Sequence, residues 1–167
     1  MFRADSDMRS GSQWHRPGPL RAGKTPPMTL KILLIDDNRT FIAAVRHFLD
    51  RLDGVTVVGQ AHDGKTALAH VREDMPDIVL LDIAMPGMNG LELARALRQA
   101  PAPPRIIFLS MHDNQEYRAA AQELDAGFVS KADFVSELIP TLEAMVKDDG
   151  LARADTHPQP LPPMDTR

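Results

Sequence analysis

The clearest indication of the fold comes from one stretch of the sequence, Ile78-Val79-Leu80-Leu81-Asp82-Ile83-Ala84-Met85-Pro86-Gly87-Met88-Asn89-Gly90. Its first four residues predict a short strand buried on both faces, because a strand with a solvated face would alternate polar and apolar positions. The chain then turns through Pro86 and Gly87 into a helix, for which Asn89 is a natural N-cap. We therefore expect the carboxylate of Asp82 at the carboxyl end of a central strand, beside a loop.

A second apolar run, residues 32–35, leads directly into Asp36 and Asp37. In a doubly wound parallel sheet, ligands bind outside the carboxyl ends of the strands, where the strand order reverses. If the two runs are neighbouring strands there, Asp36, Asp37 and Asp82 converge. Three close carboxylates repel one another unless a hard cation lies among them, and oxygen ligands suit Mg²⁺. We expect a site for Mg²⁺, or for Mn²⁺ in its place.

From Thr29 onward the hydrophobic pattern alternates strand and helix five times, which predicts an α/β domain with a parallel sheet. We expect Gly54 to end the first helix, Asp113 to cap the fourth, and Pro140 to kink the last. The predicted strands are 32–35, 55–60, 78–81, 105–109 and 127–130, and the predicted helices cover about 41–52, 64–72, 90–99, 113–124 and 133–147.

Composition excludes several classes of function. The chain has 167 residues and a formal net charge of −4, which argues against non-specific binding of nucleic acid. It contains no cysteine, so disulfides and thiolate metal sites are excluded. No apolar run is long enough to cross a bilayer or to form the core of a signal peptide. We expect a soluble, cytoplasmic protein without membrane partners.

The two ends of the chain differ from its centre. Residues 1–27 are rich in Arg, Ser, Gly and Pro and lack a hydrophobic period, so we expect them to be disordered. Met28 directly precedes the first strand, and we expect it to be the working start, with a genuine basic arm upstream as the alternative. The folded domain is expected over 28–148. The Pro-rich residues 149–167 are expected to form a disordered tail, with a groove-docking ligand as the weaker interpretation.

Taken together, the residues at the strand ends resemble the response-regulator receiver family of two-component signalling. The resemblance covers about residues 29–147. It rests on the acid pair after the first strand, Asp82 after the third, Ser110 after the fourth and Lys131 after the fifth. It implies a flavodoxin-like fold, a doubly wound five-stranded parallel sheet of order 2-1-3-4-5 with five helices.

The same resemblance implies a chemistry for the acids. Asp82 is the expected phosphoacceptor, taking a phosphoryl group from the histidine of a sensor kinase or a histidine phosphotransfer protein. Asp37, Asp82 and the backbone carbonyl of Ala84 are the expected direct ligands of Mg²⁺, and Asp36 acts mainly through water. Phosphoryl transfer of this kind depends on positioning and charge stabilisation.

Other residues are implied to stabilise the phosphoryl group and to report its presence. Lys131 is expected to pair with Asp82 at rest and with a phosphate oxygen afterwards, and Ser110 to donate a hydrogen bond to that group. Ser110 and Phe128 would then reorient together, changing the face built from the fourth helix, fifth strand and fifth helix. Through that face the protein is expected to bind an unknown downstream protein, as a monomer or a weak dimer.

Some positions depart from the family pattern. Ala84, two residues after the acceptor, has no side chain that could orient an attacking water, whereas His112, two residues after Ser110, has one. We expect these two positions to tune dephosphorylation. Ala132 follows Lys131 where the family commonly has proline.

Three other interpretations compete with the receiver. The acid pair can merely cap the next helix, and Ser110 and Lys131 can be solvated loop residues. Phosphatases similar to haloacid dehalogenases also use an aspartate and Mg²⁺ at a strand end, but Asn38 stands where their general acid is required. A receiver fold serving only as a scaffold is the third. Only about twenty residues follow the fifth helix, so we expect no output domain in this chain, which would be a stand-alone receiver.

Overall fold

The computed structural model describes residues 29–154; the expected disordered segment 1–27 and residues 155–167 of the expected tail lie outside this range. The sheet has five parallel strands in the order β2-β1-β3-β4-β5, as predicted. The strands are β1 (Leu30–Ile35), β2 (Val55–Ala61), β3 (Ile78–Asp82), β4 (Arg105–Ser110) and β5 (Gly127–Ser130). The helices are α1 (Arg39–Leu49), α2 (Gly64–Asp74), α3 (Gly90–Arg98), α4 (Gln115–Glu123) and α5 (Phe134–Ala154).

The central strands are buried on both faces because helices cover both sides of the sheet. All five residues of β3 are buried. Alternate residues of the strands divide between two apolar clusters: Leu81 packs into one, with residues of α2, α3 and α4, and Leu80 into the other, with residues of α1 and α5. This arrangement explains why the strand was readable as a continuous apolar run.

Four of the helices begin at a side-chain cap. Each cap accepts a hydrogen bond from the backbone N–H three residues later, which satisfies a donor that the helix leaves unpaired. The caps are Asn38, Asp63, Asn89 and Asn114. The prediction that Asp113 caps the fourth helix was wrong. Asn114 is the N-cap, and Asp113 instead forms an ion pair with Arg118.

The first helix ends earlier than expected. It stops at Leu49, and Gly54 lies beyond it with a positive φ of 77° and its carbonyl accepting from Leu30 N–H. Gly54 therefore ends the turn that leads into β2, rather than the helix itself. The buried face of α1 consists of Ile42, Val45 and Leu49.

The last helix is longer than expected. It runs to Ala154 rather than to Lys147, so residues 149–154 are helical and not part of a disordered tail. Pro140 lies inside the helix and does not end it. Leu138 and Leu142 are buried, but Val135 and Val146, which are also apolar and at helical spacing, are 58% and 49% exposed, because α5 contacts the sheet along one side only.

The edge strand β2 carries one extra residue. Ile32 pairs with Val57, but Leu33 pairs with Gly59, so Val58 has no counterpart on β1. After this shift the carbonyl of Ala61 accepts a hydrogen bond from Asp36 N–H at 3.1 Å. The shift thus fixes where β1 ends and the acids begin.

Within residues 29–154, no helix combines the length and the apolar character needed to span a membrane.

Candidate functional site

Three carboxylates meet at the carboxyl edge of the sheet, as the strand pattern predicted. Asp36 and Asp37 follow β1, and Asp82 ends β3, the strand next to it. One oxygen from each residue lies within 4.8 Å of the others. Asp36 and Asp82 are buried, whereas Asp37 is exposed. The cluster is therefore open to solvent on the side of Asp37.

Lys131 supplies the positive charge inside this cluster. Its Nζ lies 2.6 Å from Asp36 Oδ2 and 3.2 Å from Asp82 Oδ1, and its side chain is only 6% exposed. The predicted pairing of Lys131 with Asp82 is confirmed, and the pairing with Asp36 adds to it. One ammonium cannot neutralise three carboxylates, so the cluster keeps an excess of negative charge.

The donor set fits a hard cation. Asp36 Oδ1 accepts a hydrogen bond from Asn38 N–H at 2.8 Å, and the buried Oδ2 forms the ion pair with Lys131 Nζ at 2.6 Å. The ligand atoms are all carboxylate oxygens. Asp36, Asp37 and Asp82 can therefore hold a metal ion. Ala84 is exposed, and its N–H lies 3.4 Å from Asp82 Oδ1.

The environment of Asp82 disfavours its ionised form. Burial raises the pKa of Asp82 above its ordinary value, and the negative charge of Asp36 raises it further. The charge and hydrogen bond of Lys131, and the Ala84 N–H, lower this pKa but do not offset the first two effects. Ionised Asp82 is thus under electrostatic strain that a cation would relieve.

This raised pKa predicts a pH dependence of stability. A carboxyl group whose pKa is higher in the folded chain favours folding when protonated, and this contribution is lost as the pH rises from 3.8 through the folded pKa. We expect metal-free Asp82→Asn to be more stable than the wild type at about pH 7, with the difference shrinking toward about pH 3.5. Urea titrations in EDTA measure this.

The control for that comparison is Asp77→Asn, at the other end of β3. The exposed Asp77 accepts a hydrogen bond from Lys31 N–H at 2.8 Å, so its replacement should not stabilise the fold. A wild type that is as stable as Asp82→Asn at neutral pH would contradict the expectation.

Ser110 is in place but is engaged with its own loop. The side chain is 1% exposed, and Oγ both donates to His112 O and accepts from His112 N–H, each at 3.1 Å. His112 is exposed and contacts Ser110 through its backbone. For Ser110 to donate a hydrogen bond to a group on Asp82, the bond that its hydroxyl donates to His112 O must break.

Phe128 is half-buried on β5 and is covered by Arg118 from α4. The guanidinium carbon lies 4.7 Å from the ring centre, and Asp113 holds the guanidinium at 2.5 and 2.7 Å. Our sequence reasoning did not single out Arg118. The only indication in the sequence was an acid, Asp113, five residues before Arg118. Side chains on one face of a helix pair at spacings of three or four residues, so this spacing did not predict the ion pair.

Gly90 is a second residue that sequence reasoning missed. A Cβ at this position would collide with the backbone oxygen of Asp82 and lie 2.8 Å from Ile83 Cα. Gly90 N–H also donates to Ile83 O at 2.8 Å. The start of α3 is thus packed directly on the peptide that follows the candidate nucleophile. A glycine in the first turn of a helix, where other residues have higher propensity, was the available signal.

Comparison with known proteins agrees with this geometry. The family model described as the response regulator receiver domain matches residues 32–143. Response regulator UvrY of Escherichia coli K12 is 32% identical over 117 residues, which cover 70% of this chain and 54% of UvrY. The transcriptional regulatory protein NarL of Mycobacterium tuberculosis H37Rv is 35% identical over 114 residues, covering 68% and 53%.

A solved structure supports the same assignment. The signal receiver domain of NarL from Mycobacterium tuberculosis superposes with a TM-score of 0.66 at 33% identity, covering 72% of this chain and 98% of that domain. The chain spans about half the length of the curated relatives it matches.

A five-stranded 2-1-3-4-5 sheet with acids, a hydroxyl and a lysine at its carboxyl edge defines a receiver domain. The chain belongs to the response-regulator receiver family of two-component signalling.

Proposed function

We propose that Asp82 is phosphorylated by the phosphohistidine of a sensor kinase or a phosphotransfer protein. A carboxylate oxygen of Asp82 forms a bond to phosphorus as the phosphorus–nitrogen bond breaks, and the leaving imidazole takes up a proton. The observation that carries this proposal is the burial of Asp82 beside Lys131 and two further carboxylates. A carboxylate with excess negative charge around it gains most from a cationic partner.

We propose Mg²⁺, or Mn²⁺, as that partner. Asp37 and Asp82 would bind it directly with the backbone carbonyl of Ala84, and Asp36 would act through water. When bound, the ion would neutralise the negative charge of the three carboxylates and so allow an anionic phosphodonor to approach. The oxygen-only donor set and the excess of negative charge in the cluster support this choice.

Lys131 and Ser110 are the proposed stabilisers of the phosphoryl group. Lys131 already lies 3.2 Å from Asp82, so a small displacement moves its charge onto a phosphate oxygen. Ser110 would exchange the hydrogen bond that it donates to His112 O for one to the phosphoryl group. The loop after β4 would follow Ser110 inward.

The proposed switch couples Ser110 to Phe128 and so to the α4-β5-α5 face. When the loop after β4 moves, Asp113 moves with it, and the ion pair that holds Arg118 over Phe128 is disturbed. Phe128 then loses its cover and can reorient. A downstream protein would read the changed face, with the receiver acting as a monomer or a weak dimer.

The test of this function uses the whole chain, Mg²⁺ and acetyl phosphate. Intact mass is expected to increase by one phosphoryl group per chain, and EDTA is expected to prevent the increase. Repeated turnover of a phosphate ester would instead favour the phosphatase alternative. If neither the metal nor the donor has an effect, the proposal is wrong.

Dephosphorylation gives a separate prediction at His112. Ala84 cannot orient a water, so the exposed His112 is the proposed residue that does. We expect His112→Ala to lengthen the lifetime of the phosphorylated protein by roughly tenfold, less than the roughly hundredfold or more of full general acid–base catalysis, because His112 would only orient the water. Decay of the phosphorylated mass with time measures this. His47→Ala, also exposed but on α1, is the control, and equal decay of His112→Ala and wild type would reject the role.

A cytoplasmic location and the lack of nucleic-acid binding are two further predictions. The last contrasts with NarL, which is named a transcriptional regulatory protein. We propose that this receiver acts by docking a partner protein or by relaying phosphate to another histidine.

A further inference from the structure

The lysine of the acid cluster has an aromatic ring against it. Lys131 Nζ lies 4.7 Å from the centre of the Phe41 ring, in addition to its contacts with Asp36 and Asp82. The face of an aromatic ring is electronegative and attracts a cation within about 6 Å. Because the lysine side chain is only 6% exposed, water screens this attraction little. Two carboxylates and one ring therefore hold the ammonium.

Phe41 is itself fixed by the turn that carries the acids. Asn38 N–H donates to Asp36 Oδ1 at 2.8 Å, and Asn38 Oδ1 accepts from Phe41 N–H at 3.1 Å. The contacts form a closed circuit from Asp36 through Asn38 and Phe41 to Lys131 and back to Asp36. The backbone of Phe41 is thus anchored by Asn38, the same residue that donates to the acid Asp36.

The ring has further support from α5. Phe134, three residues after Lys131, contacts Phe41 edge to face, with ring centres 5.5 Å apart and planes at 75°. Phe48, two turns further along α1, contacts Phe134 in the same manner at 5.7 Å. Phe48 belongs to the same group of three rings and offers a matched control on the same helix.

We propose that Phe41 is a positioning residue for phosphorylation: it holds the ammonium of Lys131 between Asp36 and Asp82, where an oxygen of the incoming phosphoryl group arrives. This inference rests on the proposed function of Asp82. Leucine at position 41 would fill much of the same space but would present no electronegative face. The ammonium would then adopt more orientations, and fewer molecules would have it in place to stabilise the developing charge.

The first experiment compares Phe41→Leu, Phe41→Tyr and Phe48→Leu with the wild type. Initial rates of phosphorylation are measured by intact mass at saturating Mg²⁺ over a series of acetyl phosphate concentrations. We expect Phe41→Leu to lower the maximal rate by between about three- and thirtyfold, the strength of a desolvated cation–π contact, at an unchanged half-saturating donor concentration. Phe41→Tyr should restore the rate, and Phe48→Leu should stay near wild type.

The second experiment needs neither metal nor donor. In NMR spectra of the metal-free protein, the ring current of Phe41 should shift the ε-methylene protons of Lys131 upfield, with Lys131→Arg providing the assignment. The shift should vanish in Phe41→Leu and persist in Phe48→Leu. A rate in Phe41→Leu equal to that of the wild type, or an equal loss in Phe48→Leu, would overturn the positioning role alone. A wild type that accepts no phosphate would overturn the proposed function and this role with it.

Discussion

Asp82→Asn is expected to abolish phosphorylation of the whole chain by acetyl phosphate and Mg²⁺. The amide has nearly the same size as the carboxylate but is a poor nucleophile, and loss of a nucleophile costs roughly a thousandfold or more in rate. Because ionised Asp82 is buried beside Asp36, the amide should also relieve repulsion and leave the fold intact. Intact mass after incubation measures the result: one phosphoryl group on the wild type and none on the variant.

The control for this prediction is Asp77→Asn, which alters an acid at the opposite end of the same strand. Asp77 is exposed and far from the cluster along β3, so its variant should gain a phosphoryl group as the wild type does. A phosphorylated Asp82→Asn would place the acceptor elsewhere, with Asp36 and Asp37 the first positions to examine by fragmentation of the modified protein.

Gly90→Ala is expected to produce the largest loss of stability of any single methyl group added near the site. The new Cβ would collide with the backbone carbonyl of Asp82, which cannot rotate away as a side chain could. The peptide after β3 and the start of α3 would have to separate, at a cost of about 3 kcal/mol or more. Urea unfolding measured in Mg²⁺-free buffer gives the difference in free energy.

Gly87→Ala is the matched comparison three residues earlier. Gly87 has a positive φ of 86°, but no atom lies within 4 Å of a Cβ built there. Its replacement should cost only the backbone strain of the left-handed region, about 1–2 kcal/mol. Equal costs for Gly87→Ala and Gly90→Ala would show that the contact with Asp82 is not what requires glycine at position 90.

The strands and the acid cluster were predictable because both depend on local pattern. A run such as residues 78–81 has a single stable placement, between two layers of helices, and its following acid must then lie at the carboxyl edge. The positions of Ser110 and Lys131 at the carboxyl ends of β4 and β5 were predictable for the same reason. Helix ends were less predictable. Asp113 and Asn114 are both good N-cap residues, and Asn114 is the cap because Asp113 forms an ion pair with Arg118, five residues later.

The supports of the site were not predictable from pattern. Phe41 and Lys131 are separated by 90 positions in the chain, and their contact depends on the start of α1 and the residue after β5 both lying at the carboxyl edge of the sheet. Phe41 has the helical spacing of the buried Val45 and Leu49 of α1, and this spacing indicates apolar surroundings for the ring, such as Phe134. It could not reveal that the ring also faces a cation. Likewise, Val135 matched the core period of α5, yet it lies on the side that no strand covers.

The extra residue in β2 affects how readily the exposed edge of the sheet can pair with another strand. An exposed, regular edge strand offers a ladder of N–H and C=O groups on which a strand from another molecule can add, and this is a route to aggregation. Val58 interrupts the pairing pattern midway along β2, so the two halves of this edge are out of step with each other. An invading strand could match one half but not both. The irregularity that sets the position of the acids therefore also discourages growth of the sheet from one molecule to the next.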